Sequence, residues 1–261
     1  MFDETNSPNT PDLFEGMTAI SAVLDPAIRD FNDRRVLSVF VDKTRMEKKS
    51  RELGFLRHKA EELGFEIQAV HPEDLDNLAS GKTHGGIVAV CSDRTLPLLS
   101  ESMDKIKEGG FYVFLEGIED PYNFGYTLRS LYAAGVDGVV LPPRNWMSAA
   151  GVVARASAGA SELLPLYTAD VDTLVDAFKG AGYTLLCAGI RDSVSIFEAE
   201  LRYPLLLVVG GEKRGISRAL LDRADQIVRI DYGREFRGSL SAASAATVMA
   251  FEIFRQNKNR A

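Results

Sequence analysis

Leu205-Leu206-Leu207-Val208-Val209 runs without a break into Gly210-Gly211-Glu212-Lys213-Arg214-Gly215-Ile216-Ser217. Such an aliphatic run is strand-length, far short of the roughly 18 residues a membrane helix needs, and an unbroken apolar run reads as a strand covered on both faces. Working outward, similar runs recur from Phe111 onward, at residues 112–115, 136–141, 163–167, 183–188 and 226–230, with helical stretches between most of them. That alternation predicts an α/β fold with a mostly parallel sheet and helices on both faces. Ligands bind such sheets at the carboxyl ends of the strands, so the residues just after each strand are the candidates for chemistry.

Three of those positions are unusual. Phe114-Leu115-Glu116-Gly117-Ile118 is followed by Glu119-Asp120-Pro121-Tyr122-Asn123-Phe124-Gly125 and a helix carrying Arg129. Asn123 is expected at the helix N-cap, where Asn is preferred for structural reasons alone. Leu128, Leu131 and Tyr132 mark the packed side of that helix. Gly125 and Arg129 lie one turn apart on an adjoining face, where the glycine leaves room for a ligand or for the arginine itself.

In the second loop, the Gly210-Gly211 pair lets main chain approach a ligand closely. Its spacing is not G-x-G-x-x-G and it follows a late strand, which argues against a nicotinamide enzyme. The third loop follows Ile227-Val228-Arg229-Ile230 and runs Asp231-Tyr232-Gly233-Arg234-Glu235-Phe236-Arg237-Gly238-Ser239-Leu240-Ser241 into a helix of small residues, Ala242-Ala243-Ser244-Ala245-Ala246. Small residues at a helix start permit close packing against a backbone of the same chain or of a partner. Arg234 and Arg237 read either as solvated surface charges or as phosphate ligands beside the helix start.

Ahead of this region, Val36-Leu37-Ser38-Val39-Phe40-Val41, a helix-periodic stretch at 47–63, Phe65-Glu66-Ile67-Gln68-Ala69-Val70, a short helix at 72–79 and a strand at 86–91 form a smaller α/β unit. Residues 1–11 read as a disordered leader, 12–94 as the first domain, 95–110 as an amphipathic, helical connector ending in Gly109-Gly110, and 111–261 as the second domain. The leader has neither the basic start nor the apolar run of a secretory signal, so a cytoplasmic protein without a membrane segment is expected.

Cys91 and Cys187 sit in apolar, strand-like surroundings and read as buried reduced thiols. The three histidines are scattered without metal-ligand spacing, so no metal is expected. A formal net charge of −7 argues against a protein that coats nucleic acid non-specifically and leaves room for a local basic patch.

Taken together, the three loops resemble the motifs of SpoU/TrmH-type RNA 2′-O-ribose methyltransferases of the SPOUT class: D-P-x-N-x-G-x-x-x-R at residues 120–129, G-x-E-x-x-G-[IM] at 210–216, and S-L-N, here Ser239-Leu240-Ser241. Ala154-Arg155-Ala156-Ser157-Ala158-Gly159-Ala160 followed by Leu164-Pro165 is similar to the family's intervening helix and strand. The resemblance covers residues 111–256. More loosely, Glu15-Gly16 and His84-Gly85-Gly86-Ile87-Val88-Ala89 resemble the family's RNA substrate-binding domain. The chain departs from the pattern at Ser241, where the family usually has Asn, at Ala243, often Ser, at Asp231, usually Pro, and at Gly85, usually Gln.

The resemblance implies a C-terminal SPOUT-type domain whose parallel sheet carries a deep trefoil knot, a small N-terminal α/β substrate-binding domain, and a homodimer. It implies S-adenosyl-L-methionine as cofactor, held by Val209, Gly210, Gly211, Ile216, Ile230, Ser239 and Leu240, many of them through main chain. It implies Asn123, Arg129, Glu212 and Ser241 as the catalytic surround, and RNA contacts from Arg129, Arg155, Arg234, Arg237 and His84. A guanidinium stays protonated in proteins, so positioning of phosphate and hydroxyl is the role expected of Arg129. Ribosomal RNA is the favoured substrate and transfer RNA the second. The alternatives are a cofactor- or RNA-binding protein of the same fold with lost or weak catalysis, and an unrelated α/β hydrolase using Asp120 and Glu212.

Overall fold

A computed structural model describes residues 12–79, 84–144 and 148–258. The leader at 1–11 lies outside the described residues. The chain forms two compact units: the described residues up to Thr95 with those of the segment ending at Glu162, and residues 96–144 with 163–258.

The first unit is built on a four-stranded sheet in the order β1-β4-β2-β3, from β1 (Asp12–Glu15), β2 (Val36–Asp42), β3 (Glu66–Val70) and β4 (Ile87–Cys91). β4 is antiparallel to β1 and β2, while β2 and β3 are parallel. Three helices, α1 (Met17–Val23), α2 (Ser50–Leu63) and α3 (Pro72–Leu78), belong to this unit. α2 buries Leu53 and Leu56 and stops where Gly64 adopts a left-handed conformation (φ 79°) and returns its N–H to Ala60. β1 is absent from the sequence expectation, because its four residues carry too little alternation.

α5 (Ala150–Ala156) and most of α6 (Ala160–Leu163) also pack in this unit, although the sequence division assigns them to residues 111–261. Small residues make that possible. A Cβ at Gly151 would stand 2.0 Å from the Leu13 carbonyl oxygen, and one at Gly159 would stand 2.7 Å from the Ala22 Cβ. Ala150 and Ala154 join Phe14, Ile20, Val39 and Ile87 in the core.

Polar pairs complete the contact. The fully buried Arg34 donates to Asp12 at 2.5 Å, to the Ser92 carbonyl at 2.7 Å and to Glu162 at 3.2 Å. Asn32 donates to the same Glu162 carboxylate at 2.9 Å. Buried charges are tolerable only when paired in this way.

The second unit carries a seven-stranded, wholly parallel sheet ordered β7-β6-β5-β10-β8-β11-β9. Its strands are β5 (Phe111–Glu116), β6 (Gly138–Leu141), β7 (Leu166–Thr168), β8 (Thr184–Ala188), β9 (Val194–Ser195), β10 (Leu205–Gly210) and β11 (Gln226–Arg229). Its helices are α4 (Pro121–Ala133), α7 (Val171–Gly180), α8 (Arg218–Leu221) and α9 (Ala242–Asn257). The central strands β5 and β10 bury every residue but the last, as two-faced coverage requires.

From β5 the chain steps outward to β6 and β7, then crosses to β8 on the other side, and β10 later enters between β5 and β8. The reversal of direction therefore falls at β5, β10 and β8, where an open sheet leaves a crevice at its carboxyl edge. The expected helical connector is not a helix: residues 96–110 form two short 3-10 turns, Leu99–Glu101 and Met103–Lys105. Pro97 accepts from Thr168 N–H instead, extending the edge of β7.

Both cysteines are buried, at 1% and 0% exposure, and burial pushes each thiol up to about 12. At pH 8 both are therefore protonated in the native protein. An aromatic disulfide reagent is expected to titrate no thiol in the native protein and two after denaturation in urea; rapid native labelling would show that one of these strands opens readily.

Candidate active site

The carboxyl edge of the second unit is shaped first by backbone. Gly211 donates its N–H to the Glu116 carbonyl at 2.6 Å, so the turn after β10 lies directly on the turn after β5. A Cβ at Gly211 would stand 2.0 Å from the Gly117 carbonyl oxygen, and one at Gly210 would stand 2.4 Å from the Gly215 carbonyl carbon. At both positions the chain's own main chain occupies the space a side chain would need. Gly215 closes the turn in a left-handed conformation (φ 65°), and the Glu116 carboxylate accepts Ser217 N–H at 2.7 Å. Lys213 reaches back to Glu119 at 2.7 Å and holds that carboxyl below its usual range.

This packing brings Glu212 to the centre. Its Oε1 accepts from Asn123 Nδ2 at 3.3 Å and from the Ala242 N–H at 3.2 Å. One carboxylate thus joins the first turns of α4 and α9, both of which present unpaired donors and a positive dipole end. The sequence reading of Asn123 as the cap is corrected: Asp120 is the N-cap and accepts Asn123 N–H at 2.8 Å. Pro121 at the first helical position shifts the cap three residues upstream, and that frees the Asn123 side chain for Glu212.

Ser241 caps α9, accepting Ser244 N–H at 3.2 Å, so the hydroxyl at this position holds the helix start beside Glu212. Arg129 lies exposed on α4 and makes no hydrogen bond or ion pair among the described residues. The small residues Ala242, Ala243, Ala246 and Ala250 are buried, and α9 packs along α4 of the same chain.

The remaining candidates separate. Ile216 and Ile230 are half-buried beside the β10 and β11 ends, Leu240 is exposed, and the Val209 side chain is buried in the sheet, leaving only its main chain for a ligand. Ser239 and Leu240 lead into α9, with Leu240 N–H donated to the Tyr232 hydroxyl at 3.1 Å. Arg234 and Arg237 are exposed on the same loop, whereas Asp231 pairs with Arg229 at 2.8 Å.

Two candidates belong to the first unit and are engaged there. Arg155 pairs with the buried Glu15 at 2.7 Å. His84, 5% exposed, accepts Gly86 N–H at Nδ1 (3.1 Å), which leaves Nε2 to donate to Asp76 at 2.8 Å.

Two further side chains lie at this edge: Ile190, 79% exposed in the turn after β8, and Tyr232, whose hydroxyl braces Leu240.

These features define a class: a parallel sheet whose strand order reverses at its centre, with three strand-end turns tied together at a glutamate, in a chain that also carries a small α/β unit. A profile of the SpoU rRNA methylase family matches residues 110–251, and one for the RNA 2′-O ribose methyltransferase substrate-binding domain matches 13–97. The chain belongs to the SpoU rRNA methylase family.

A TrmH-family protein of Staphylococcus haemolyticus is 31% identical over 80% of this chain and 84% of its own. The 23S rRNA (guanosine-2′-O-)-methyltransferase RlmB of Bordetella pertussis is 29% identical over 85% of this chain and 90% of its own. The crystal structure of the SpoU methyltransferase AviRb from Streptomyces viridochromogenes, in complex with the cofactor AdoMet, superposes with a TM-score of 0.75 at 26% identity, covering 94% of this chain and 90% of that one.

Because the Gly211–Gly117 approach is backbone on backbone, no side chain can swing aside to admit a methyl group. Gly211→Ala is expected to lower stability by about 1–3 kcal/mol or more in urea titrations, through overpacking. An unchanged midpoint would mean that the two turns do not pack as described.

Proposed function

We propose that this chain transfers a methyl group from S-adenosyl-L-methionine to a ribose 2′-hydroxyl of RNA, with ribosomal RNA as the substrate and transfer RNA the second choice. The observation that carries the reading is the meeting of all three motif loops at Glu212, in a chain of the SpoU rRNA methylase family that also matches a substrate-binding domain for RNA. Homologues named for 23S rRNA 2′-O-methylation favour ribosomal RNA.

The residues at the carboxyl ends of β10, β8 and β11 fit the cofactor. The Gly210–Ile216 turn, Ile230 and the Ser239–Leu240 segment offer main-chain polar groups beside aliphatic side chains, and Ser217 Oγ is buried there without a partner among the described residues. When bound, S-adenosylmethionine supplies a methyl group already activated on a sulfonium centre. The protein's task is then to hold the 2′-oxygen in line and to aid loss of its proton.

Arg129, exposed and unpaired among the described residues, holds the phosphate and hydroxyl of the target nucleotide. Asn123, Glu212 and Ser241 form the polar wall that orients the hydroxyl. Arg234 and Arg237 hold neighbouring phosphates. Arg155 and His84, engaged in internal pairs, act on RNA by shaping the first unit. The chain path of a trefoil knot and a cytoplasmic location belong to the same reading; among the described residues no helix is long and apolar enough to cross a membrane.

Purified protein is expected to transfer label from S-adenosylmethionine to bulk ribosomal RNA, and mapping of 2′-O-methyl sites in cells with and without the gene identifies the nucleotide. Cofactor binding without any transfer would favour the binding-protein alternative. Arg129→Ala is expected to reduce transfer by roughly two orders of magnitude while cofactor affinity stays within a few-fold and the melting temperature is unchanged. Arg129→Lys should recover little, since an ammonium lacks the planar fork of donors. A stable Arg129→Ala protein with near-normal turnover would remove this residue from the site.

The homodimer rests on the outer faces of α4 and α9, which expose Tyr122, Tyr126, Tyr132, Phe251 and Phe254. Aromatic surface of this kind is enriched at subunit interfaces. Light scattering on the full chain is expected to give twice the chain mass, falling to one in Tyr126→Lys combined with Phe251→Lys; a wild-type monomer at micromolar concentration contradicts the proposal.

A further inference from the structure

Residues 231–240 join the end of β11 to the Ser241 cap of α9 and are exposed throughout. Within them two aromatic rings are ordered against each other and against the backbone. Tyr232 and Phe236 stand 5.8 Å apart, centroid to centroid, tilted by 57°. The Tyr232 hydroxyl accepts Leu240 N–H at 3.1 Å and so ties the two ends of the loop. Phe236 is seated over Gly238, where a Cβ would stand 2.5 Å from the ring. Despite these supports, Phe236 is 59% exposed and Tyr232 40%.

A single exposed phenylalanine needs no explanation. Here the ring is braced on one side by a tyrosine and on another by a glycine, yet is left open to solvent, which contributes little to folding. The charges around it are also biased. Asp231 is paired with Arg229, which leaves Glu235 as the other acidic residue of the loop, and neither Arg234 nor Arg237 makes an ion pair among the described residues.

An aromatic face flanked by arginines is the chemistry that takes an unpaired nucleotide: the base stacks on the ring and the guanidinium groups hold phosphates. Double-stranded RNA keeps its bases stacked and offers such a ring nothing. Phe236 lies six residues before Ala242, whose N–H meets Glu212, a span of roughly 20 Å at full extension. The stacked base is therefore the target nucleotide or a near neighbour.

We propose that residues 232–237 are a base-stacking platform, on which Phe236, backed by Tyr232 and seated over Gly238, takes an unpaired base of the RNA substrate while Arg234 and Arg237 hold the adjoining phosphates. The proposal rests on the RNA methyltransferase reading and narrows its substrate to single-stranded, looped or bulged RNA.

The test uses the full chain and a short single-stranded RNA of mixed sequence carrying 2-aminopurine, beside the same sequence in a duplex. Wild type is expected to bind the single strand more tightly and to quench 2-aminopurine. Phe236→Ala should weaken binding by roughly ten-fold, within the range of losing one stacked base, and abolish the quenching, while Phe236→Trp retains both. Arg234→Gln and Arg237→Gln should each lower the salt dependence of binding by about one counterion.

Calorimetry with S-adenosylmethionine runs in parallel. If wild type fails to bind the cofactor, the methyltransferase reading fails, whereas the platform stands or falls on the RNA arm alone. The platform is overturned if wild type does not bind the single strand, if it prefers the duplex, or if Phe236→Ala binds and quenches as wild type does. It is also overturned if Phe236→Ala changes the oligomeric state in light scattering, which would make the ring a protein contact.

Discussion

The candidate site depends on a contact that involves no side chain at all, the 2.6 Å hydrogen bond from Gly211 N–H to the Glu116 carbonyl. It lays the turn after β10 on the turn after β5, and only glycine at 211 permits the approach. Once the two turns are stacked, the direction of Glu212 follows, and its carboxylate meets Asn123 from one loop and the Ala242 N–H from another. The helix starts of α4 and α9 are then held together by one acidic group that both favour electrostatically. The geometry of the candidate site is thus inherited from backbone packing, which a side-chain inventory does not reveal.

The first unit shows a similar economy by different means. A segment distant in sequence, 148–162, enters it because Gly151, Ala154 and Gly159 let helix backbone approach β1 and α1. Arg34 then binds Asp12 and Glu162 with no exposure to solvent. Breaking such a buried pair from one side costs about 3–5 kcal/mol, because it leaves the other charge desolvated and unmatched. That dependence orients α6 against the sheet more sharply than apolar packing alone, which tolerates sliding.

Much of the second unit was legible in sequence, because buried parallel strands such as Leu205–Gly210 are unbroken apolar runs, and each of the three candidate loops directly follows a strand. The expectation faltered where the local signal is weak. β1 and β9, of four and two residues, are too short to show a period. Residues 96–110 have helical composition but are drawn into short turns by the edge of β7. Asn123 looked like a cap because Asn often is one, yet Asp120-Pro121 supplies a stronger helix start three residues earlier.

By itself, the sequence determined the α/β class, the three strand-end loops and the family to which they belong, since hydrophobic runs and glycine spacing are local properties that survive without coordinates. Only the tertiary structure decided what the residues in those loops do. It showed that Gly210 and Gly211 are required by a backbone joint, engaged His84 with Asp76 and Arg155 with Glu15, and left Arg129 exposed on α4. The reason is that a side chain's role depends on which groups neutralise it across gaps of many residues. Glu212 lies 89 residues from Asn123 and 30 from Ala242, separations over which no periodicity carries information.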